Sequence, residues 1–425
     1  MNSITPLRIR LFFSILAGSL AIGSPHLHAQ ETETQSEGAI TESSDEISTK
    51  VDELSAFRQS PFGHGPLGPV LQGWKDLWNW TDEHLNFTLG AAHTSLVQGA
   101  TNGTYSGQRY GASGDMDIFG RWYYLNRRVK EGFVTEGTLG FAVEYRNRWT
   151  DIPPAEIGDS LGSLWRTTRG FNDAGLRLRE FWLQQKFFDS ALTFRIGRIN
   201  TKHIFDVYRF NSANHFYLNQ AFSDNPAMAF PNNGLGGALS WDIDDNWYVI
   251  AGIADATGSS PEDDNDEVDA LFMGLTAGWR GDVGDLGTGR YQATLWHIND
   301  GDETFSPSAS GFSLLAQQEL GNGWVPFVRY ARSNKPAVDT RQLATAGAVF
   351  ENPFNRAKDR LGLAVGWGQP HASRFRDQWV GEIFYRWAVF PELRLTPSAQ
   401  IIVDPSKNFD DDVIGVFSMR ARWSF

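Results

Sequence analysis

The feature that most constrains this chain is an alternation of apolar and polar residues, in segments of about ten, from about residue 84 to the end. In DALFMGLTAGWRG, Leu271, Met273, Leu275, Ala277 and Trp279 alternate with Phe272, Gly274, Thr276, Gly278 and Arg280. In the last residues, Phe417, Met419, Ala421, Trp423 and Phe425 alternate with Ser418, Arg420, Arg422 and Ser424. A period of two marks strands with one apolar face. The other face is rich in Gly, Ala, Thr and Arg, which does not suit the outside of a soluble sandwich. It suits a strand of about 9–11 residues that is apolar toward lipid and polar toward a wet lumen.

The pattern predicts strands over 84–98, 114–125, 134–147, 174–187, 190–199, 234–243, 246–255 and 269–281. It predicts eight more over 289–299, 311–320, 323–332, 342–350, 359–368, 378–389, 392–403 and 413–425. Sixteen is even, as a closed single-chain barrel requires. Short connections (126–133, 189, 244–245, 282–288, 321–323, 351–358, 391) alternate with long ones (99–113, 148–173, 200–233, 256–268, 300–310, 333–341, 369–377, 404–412). The expected fold is therefore all-β, a 16-stranded antiparallel transmembrane β-barrel. Trp122, Tyr124, Trp241, Trp247, Trp279, Tyr291, Trp324 and Trp387 gather near the short-turn ends, as amphipathic rings do at a membrane interface. Pro326 and Pro397 fall inside proposed strands, where each removes a ladder donor, so a bulge or strand end is expected at each.

The N-terminus reads as an address. Arg8 and Arg10 precede the apolar run Leu11–Gly23, too short to span a bilayer, and Ala29 offers a cleavage point. Residues 1–29 are expected to be a signal peptide, 30–70 a mostly disordered acidic tether, and 71–425 the barrel. This implies export to the outer membrane of a Gram-negative-type bacterium. The chain has no Cys and a formal charge of −13, which leaves no thiol chemistry and argues against nucleic-acid binding. No hydrolase, P-loop or dinucleotide fingerprint occurs, and the His residues show no metal-site spacing. The expectation is no enzyme, no cofactor and no metal. The acidic runs Pro261–Asp269, Asn299–Glu303 and Asp404–Asp412 could bridge divalent cations to lipopolysaccharide, but without EF-hand spacing solvated charge is the better reading.

The connection 200–233 is the third external loop and the longest without strand texture. It carries Phe205, Tyr208, Phe210, Phe216, Tyr217 and Phe222, so it is expected to fold into the barrel and narrow it. Its rings would either lie against sugar CH faces or pack the loop on the wall. Lumen parity assigns Arg121, Glu144, Arg146, Arg177, Arg195, Arg329, Glu382, Arg386, Arg420 and Arg422 to the interior. There they would hydrogen-bond sugar hydroxyls or form Arg–Glu ladders along the wall.

Four short motifs carry a family resemblance. Glu382-x-x-Tyr385-Arg386, Leu395-Thr396-Pro397-x-x-Gln400 and Asp404-Pro405, before the aromatic terminus, resemble the last hairpins of the OprB-type carbohydrate-selective porins. Arg195-x-Gly197-Arg198 and the loop after it resemble that family's Arg-x-Gly-Lys strand, with Arg198 where Lys is usual. The resemblance covers roughly 84–425, and the acidic tether is outside it. It implies a 16-stranded barrel that passes sugars by facilitated diffusion. The expected solute path combines the parity residues Arg121, Glu144, Arg146, Arg195, Glu382, Arg386 and Arg420 and the loop rings Phe205, Tyr208 and Phe210 with Arg198 of the resembling strand. The expected partners are carbohydrate solutes, outer-membrane lipids and lipopolysaccharide, and assembly machinery that reads Phe425. Homotrimers are common for such barrels, but alternation picks out no interface patch. A general or anion-preferring porin is the near alternative. A secreted soluble all-β lectin or glycosidase is the distant one.

Overall fold

The computed structural model describes residues 68–425 apart from 102–104, 106, 127–133, 189, 259–269, 302–306 and 357. The expected signal peptide, the tether up to residue 67, the acidic run Pro261–Asp269 and part of the run after Asn299 lie outside the described residues.

The strands are β1 (Phe87–Ala100), β2 (Tyr110–Asn126), β3 (Val134–Arg148), β4 (Gly175–Phe187), β5 (Leu192–Ile199), β6 (Gly234–Asp242), β7 (Trp247–Asp255) and β8 (Leu271–Asp282). They continue as β9 (Thr288–Ile298), β10 (Ala309–Gln318), β11 (Trp324–Ser333), β12 (Thr340–Glu351), β13 (Arg360–Pro370), β14 (Gln378–Ala388), β15 (Leu393–Val403) and β16 (Val413–Ser424). Each pairs antiparallel with its chain neighbours, and β1 pairs with β16, so the barrel is closed. Every predicted strand is present. Closure leaves no edge of unpaired backbone groups facing lipid.

Parity follows the expected division. Phe417 is 59% exposed on the outer face, while Arg420, on the lumen face of the same strand, is 1% exposed. Outside, rings pair across strands near the short turns. Trp324 stacks on Phe350 at 4.9 Å, and Trp279 lies 5.7 Å from Tyr291. The two prolines behave differently from each other. Pro326 is the third residue of β11, and pairing to β10 stops at its neighbour Phe327, so its missing N–H falls at a ladder end. Pro397 lies within β15, and the β14–β15 ladder skips Thr396 and Pro397 without changing register. The expected bulge is a gap instead, because the flanking pairs Phe384–Ser398 and Trp387–Leu395 hold the strands in place.

Helix α1 (Gly68–Leu85) was not expected and spans the boundary drawn at residue 70. It packs at the short-turn end. Trp78 is buried, Lys75 pairs with Glu392 at 3.2 Å, and Thr88 donates to Asp82 at 2.6 Å. At the other end two long loops turn inward. The β3–β4 loop carries helix α2 (Pro154–Ser160), and the β5–β6 loop carries the single turns α3 (Lys202–Phe205) and α4 (Gln220–Ser223). Trp165 and Phe171 of the first, and Tyr208, Phe210 and Tyr217 of the second, are among the most deeply buried side chains. An inward fold was foreseen only for the second.

Phe425 fastens the seam. The Ala91 N–H donates to the Phe425 carbonyl at 2.7 Å, and the Phe425 N–H donates to the Ala91 carbonyl at 2.9 Å. Deleting Phe425 removes two closing bonds, each worth about 1 kcal/mol net, and the ring that ends the apolar face. The deletion should lower the amount of heat-modifiable barrel in the outer membrane and leave the single-channel current of the assembled fraction unchanged. Normal assembly with altered current would contradict this.

Candidate functional site

An irregular segment can run inside a barrel only if its backbone polar groups find partners there. The wall supplies them from charged residues. Arg329 of β11 pairs with Asp206 at 2.9 Å, donates to the Ala221 carbonyl at 2.6 Å, and also donates to the Asp224 carbonyl. Glu382 of β14 accepts from the Leu218 and Asn219 N–H groups at 2.7 and 2.8 Å. Arg420 of β16 donates to the Phe216 carbonyl at 2.9 Å and to that of Ala213. The β3–β4 loop is held by neutral side chains of the wall. Trp165 donates its ring N–H to Thr340 at 2.9 Å, and the Leu164 N–H donates to Gln378 at 2.8 Å.

The loop rings pack on the wall. Tyr208 lies 5.2 Å from Phe327, Tyr217 lies 4.9 Å from Phe384, and Phe205 lies 5.9 Å from Phe272. Two lumen glycines make room for such rings. A Cβ on Gly274 would come within 2.7 Å of Phe205, and one on Gly368 within 2.1 Å of Trp165. Phe205, Tyr208 and Phe210 are each no more than 1% exposed, so they present no face to a solute in this arrangement. Of the two readings of these rings, packing is the one their burial matches. Arg386 lies over the Phe216 ring at 4.9 Å, Arg195 over Trp182 at 3.9 Å, and Arg121 over Tyr123 at 4.8 Å. Arg195 also donates to Gln184 at 2.7 and 3.0 Å.

A cavity of about 640 Å³ opens at the long-loop end. Strands β3 and β4 give it Arg146, Arg177 and Arg179, β5 gives Arg198, and the inner loops give Arg166, Arg169 and Lys202. Three carboxylates, Asp159, Asp224 and Asp339, share the lining. The amides Asn172, Asn200, Asn214, Gln220, Asn225, Asn232 and Asn233 fill much of the rest. Of the expected solute-path residues, Arg146 and Arg198 line the cavity. Glu144 lies behind it, fully buried, holding Arg146 and accepting from Arg177 at 2.6 Å, with Arg179 3.7 Å away. Asp115 backs Arg146 at 3.4 Å, and Glu180 backs Arg179 at 3.7 Å. Arg169 pairs with Asp224.

Sequence reasoning missed Arg179, which sits at a bulge. Ala142 pairs with Glu180 and Val143 with Leu178, so Arg179 is the extra residue of β4. Bulges re-aim side chains. Here one lets Arg179 and Glu180, adjacent in sequence, both be buried on the lumen side. The signal was present: apolar residues change parity between Leu176, Leu178 and Phe181, Leu183. The loop cations and amides carry no such signal, since parity says nothing of irregular segments.

Three comparisons bear on this barrel. The family profile for the carbohydrate-selective porin, OprB family, matches residues 155–287 and 281–425. Porin AaxA of Chlamydia abortus is 24% identical over 343 residues, which cover 73% of this chain and 76% of that protein. Porin AaxA of Chlamydia felis is 24% identical over the same length, covering 73% and 77%. Among solved structures, Pseudomonas putida OprB at high pH superposes with a TM-score of 0.69 at 16% identity, covering 83% of this chain and 97% of that one.

Removing an anchor should free the β5–β6 loop. Arg329→Ala or Glu382→Ala strips a buried charged partner, at a cost of about 3–5 kcal/mol to the docked loop. Each variant should show higher single-channel conductance and new trypsin cleavage at Lys202 or Arg209. Unchanged conductance with full protease resistance would show that the loop is held by its rings alone.

Proposed function

The chain belongs to the OprB family of carbohydrate-selective porins, and we propose that sugars enter its barrel through the cavity lined by cations and amides. It is an outer-membrane porin for carbohydrates, a channel and not an enzyme. The observation that carries the entry route is the position of that cavity. It lies between two inward loops and the wall, with side chains that form many replaceable hydrogen bonds. Weak contacts at several sites let a solute bind and leave, which diffusion through a pore needs.

In this reading Arg146 and Arg198 meet solute directly, and Glu144 positions Arg146 and Arg177 from behind. Glu382 and Arg420 shape the path by holding the β5–β6 loop. Arg121, Arg195 and Arg386 stack on rings, and Phe205, Tyr208 and Phe210 fill the wall contact. Export by residues 1–29, recognition of Phe425 by assembly machinery, and lipopolysaccharide around the outer loops belong to the same proposal. An anion-preferring porin is the second reading, favoured by seven cations against three carboxylates in the lining.

Purified protein in planar bilayers should show a current that millimolar neutral or acidic sugars lower. Liposome swelling should slow from mono- to di- to trisaccharide. If no sugar changes the current and swelling depends on size alone, the general-porin alternative replaces this one. Tyr208→Ala with Phe210→Ala should raise conductance and lower thermal stability, the signature of lost packing, because neither ring has a solute face to lose. Weaker sugar block at unchanged conductance would instead show that the rings stack on solute.

A further inference from the structure

We propose that the long-loop cavity binds saccharides that carry a carboxylate, in preference to neutral sugars of the same size. This rests on the porin reading above and names the substrate class of the same site.

The argument begins with the layering of charge. The carboxylates of Glu144, Asp115 and Glu180 are buried at 0%, 1% and 2% exposure and none of them lines the cavity. Arg146, Arg177 and Arg179 stand between them and the open space. The buried acids roughly balance the charge of these arginines, which lets so many cations share one wall. They do not exhaust the hydrogen-bonding capacity, because each guanidinium carries five N–H donors in a planar fork. The cavity therefore meets solute with the positive side of a charge layer and with a surplus of donors.

A second set of groups selects for a sugar rather than for any anion. Amides both donate and accept, which matches hydroxyl groups. Asn172, Asn200, Asn214 and Asn233 lie in the same lining as the arginines. Carboxylate and hydroxyls on one ring would engage both sets at once. A neutral sugar uses the amides and leaves the cationic forks to water. An amino sugar meets like charge. The anchoring already described removes Glu382 from the path, since both its oxygens accept loop N–H groups.

Charge-assisted bonds are about twice as strong as neutral ones, so glucuronate should half-block the current at roughly ten-fold lower concentration than glucose. The test compares glucuronate, glucose and sulfate on the full-length protein in planar bilayers, with glucose-driven liposome swelling alongside. Arg166→Gln and Arg198→Gln keep donors and remove charge. Each should raise the half-blocking concentration of glucuronate several-fold more than it raises that of glucose. Equal block by glucuronate and glucose overturns the proposal and leaves the porin reading intact. Block by sulfate as strong as by glucuronate also overturns it, in favour of a plain anion site. If neither sugar blocks and glucose does not swell liposomes, the porin reading fails with it. Should a variant not assemble, the ranking of the three solutes on the unaltered protein decides.

Discussion

The interior of this barrel depends on how a loop's backbone is satisfied away from water. Apart from two single helical turns the β5–β6 loop has no regular structure, so most of its carbonyls and N–H groups need partners from the wall. Arg329, Glu382 and Arg420, on three different strands, bond to backbone groups of six loop residues, and Arg329 also pairs with the Asp206 side chain. A hydrogen bond to a charged group contributes about 1.5–3 kcal/mol, roughly twice a neutral one. Long charged side chains also reach where strand backbone cannot. These anchors fix the loop, the loop sets where the cavity lies, and the cavity sets what a solute touches.

The barrel was legible because its rule is local. Lipid on one side and polar contents on the other force a period of two, and Phe417, Met419 and Arg420 report that period without knowledge of any neighbour. The helix at Gly68–Leu85 was also legible in principle. Trp74, Leu77, Trp78 and Leu85 follow helical spacing, although the Gly- and Pro-rich residues just before them break up local pattern. At Pro397 a bulge or a strand end was expected, and the ladder shows a gap with the register kept. A residue lacking one donor deletes pairs; whether register also shifts depends on both flanks.

The interior was much less legible. Phe205 has the same sequence signature whether it stacks on a sugar or on the wall. The outcome turns on Gly274 and Phe272, about seventy residues away, which leave a ring-sized recess. Parity assigned charges such as Glu144, Arg146 and Arg420 to the lumen, and all three face inward. Parity has no term for depth, so it could not separate Arg420, which holds a loop, from Arg146, which lines the cavity. The contribution of the β3–β4 loop was missed for the same reason. Its Trp165 is placed by Thr340 and Gly368, partners from strands far along the chain.

One consequence of anchoring accounts for a basic cavity in an acidic protein. Inside the lumen a carboxylate is an acceptor only, and the strongest donors nearby are loop N–H groups and guanidinium forks. Glu382 turns to the first and Glu144 to the second, so both become buried. Guanidinium groups differ because one fork can bind a carboxylate behind it and still present N–H groups in front. Arg146 does this with Glu144 while lining the cavity. Burial of these acids therefore leaves donors in excess of carboxylates at the surface that solute meets, whatever the net charge of the chain. The polarity of the entrance follows from the geometry of the two ions rather than from composition.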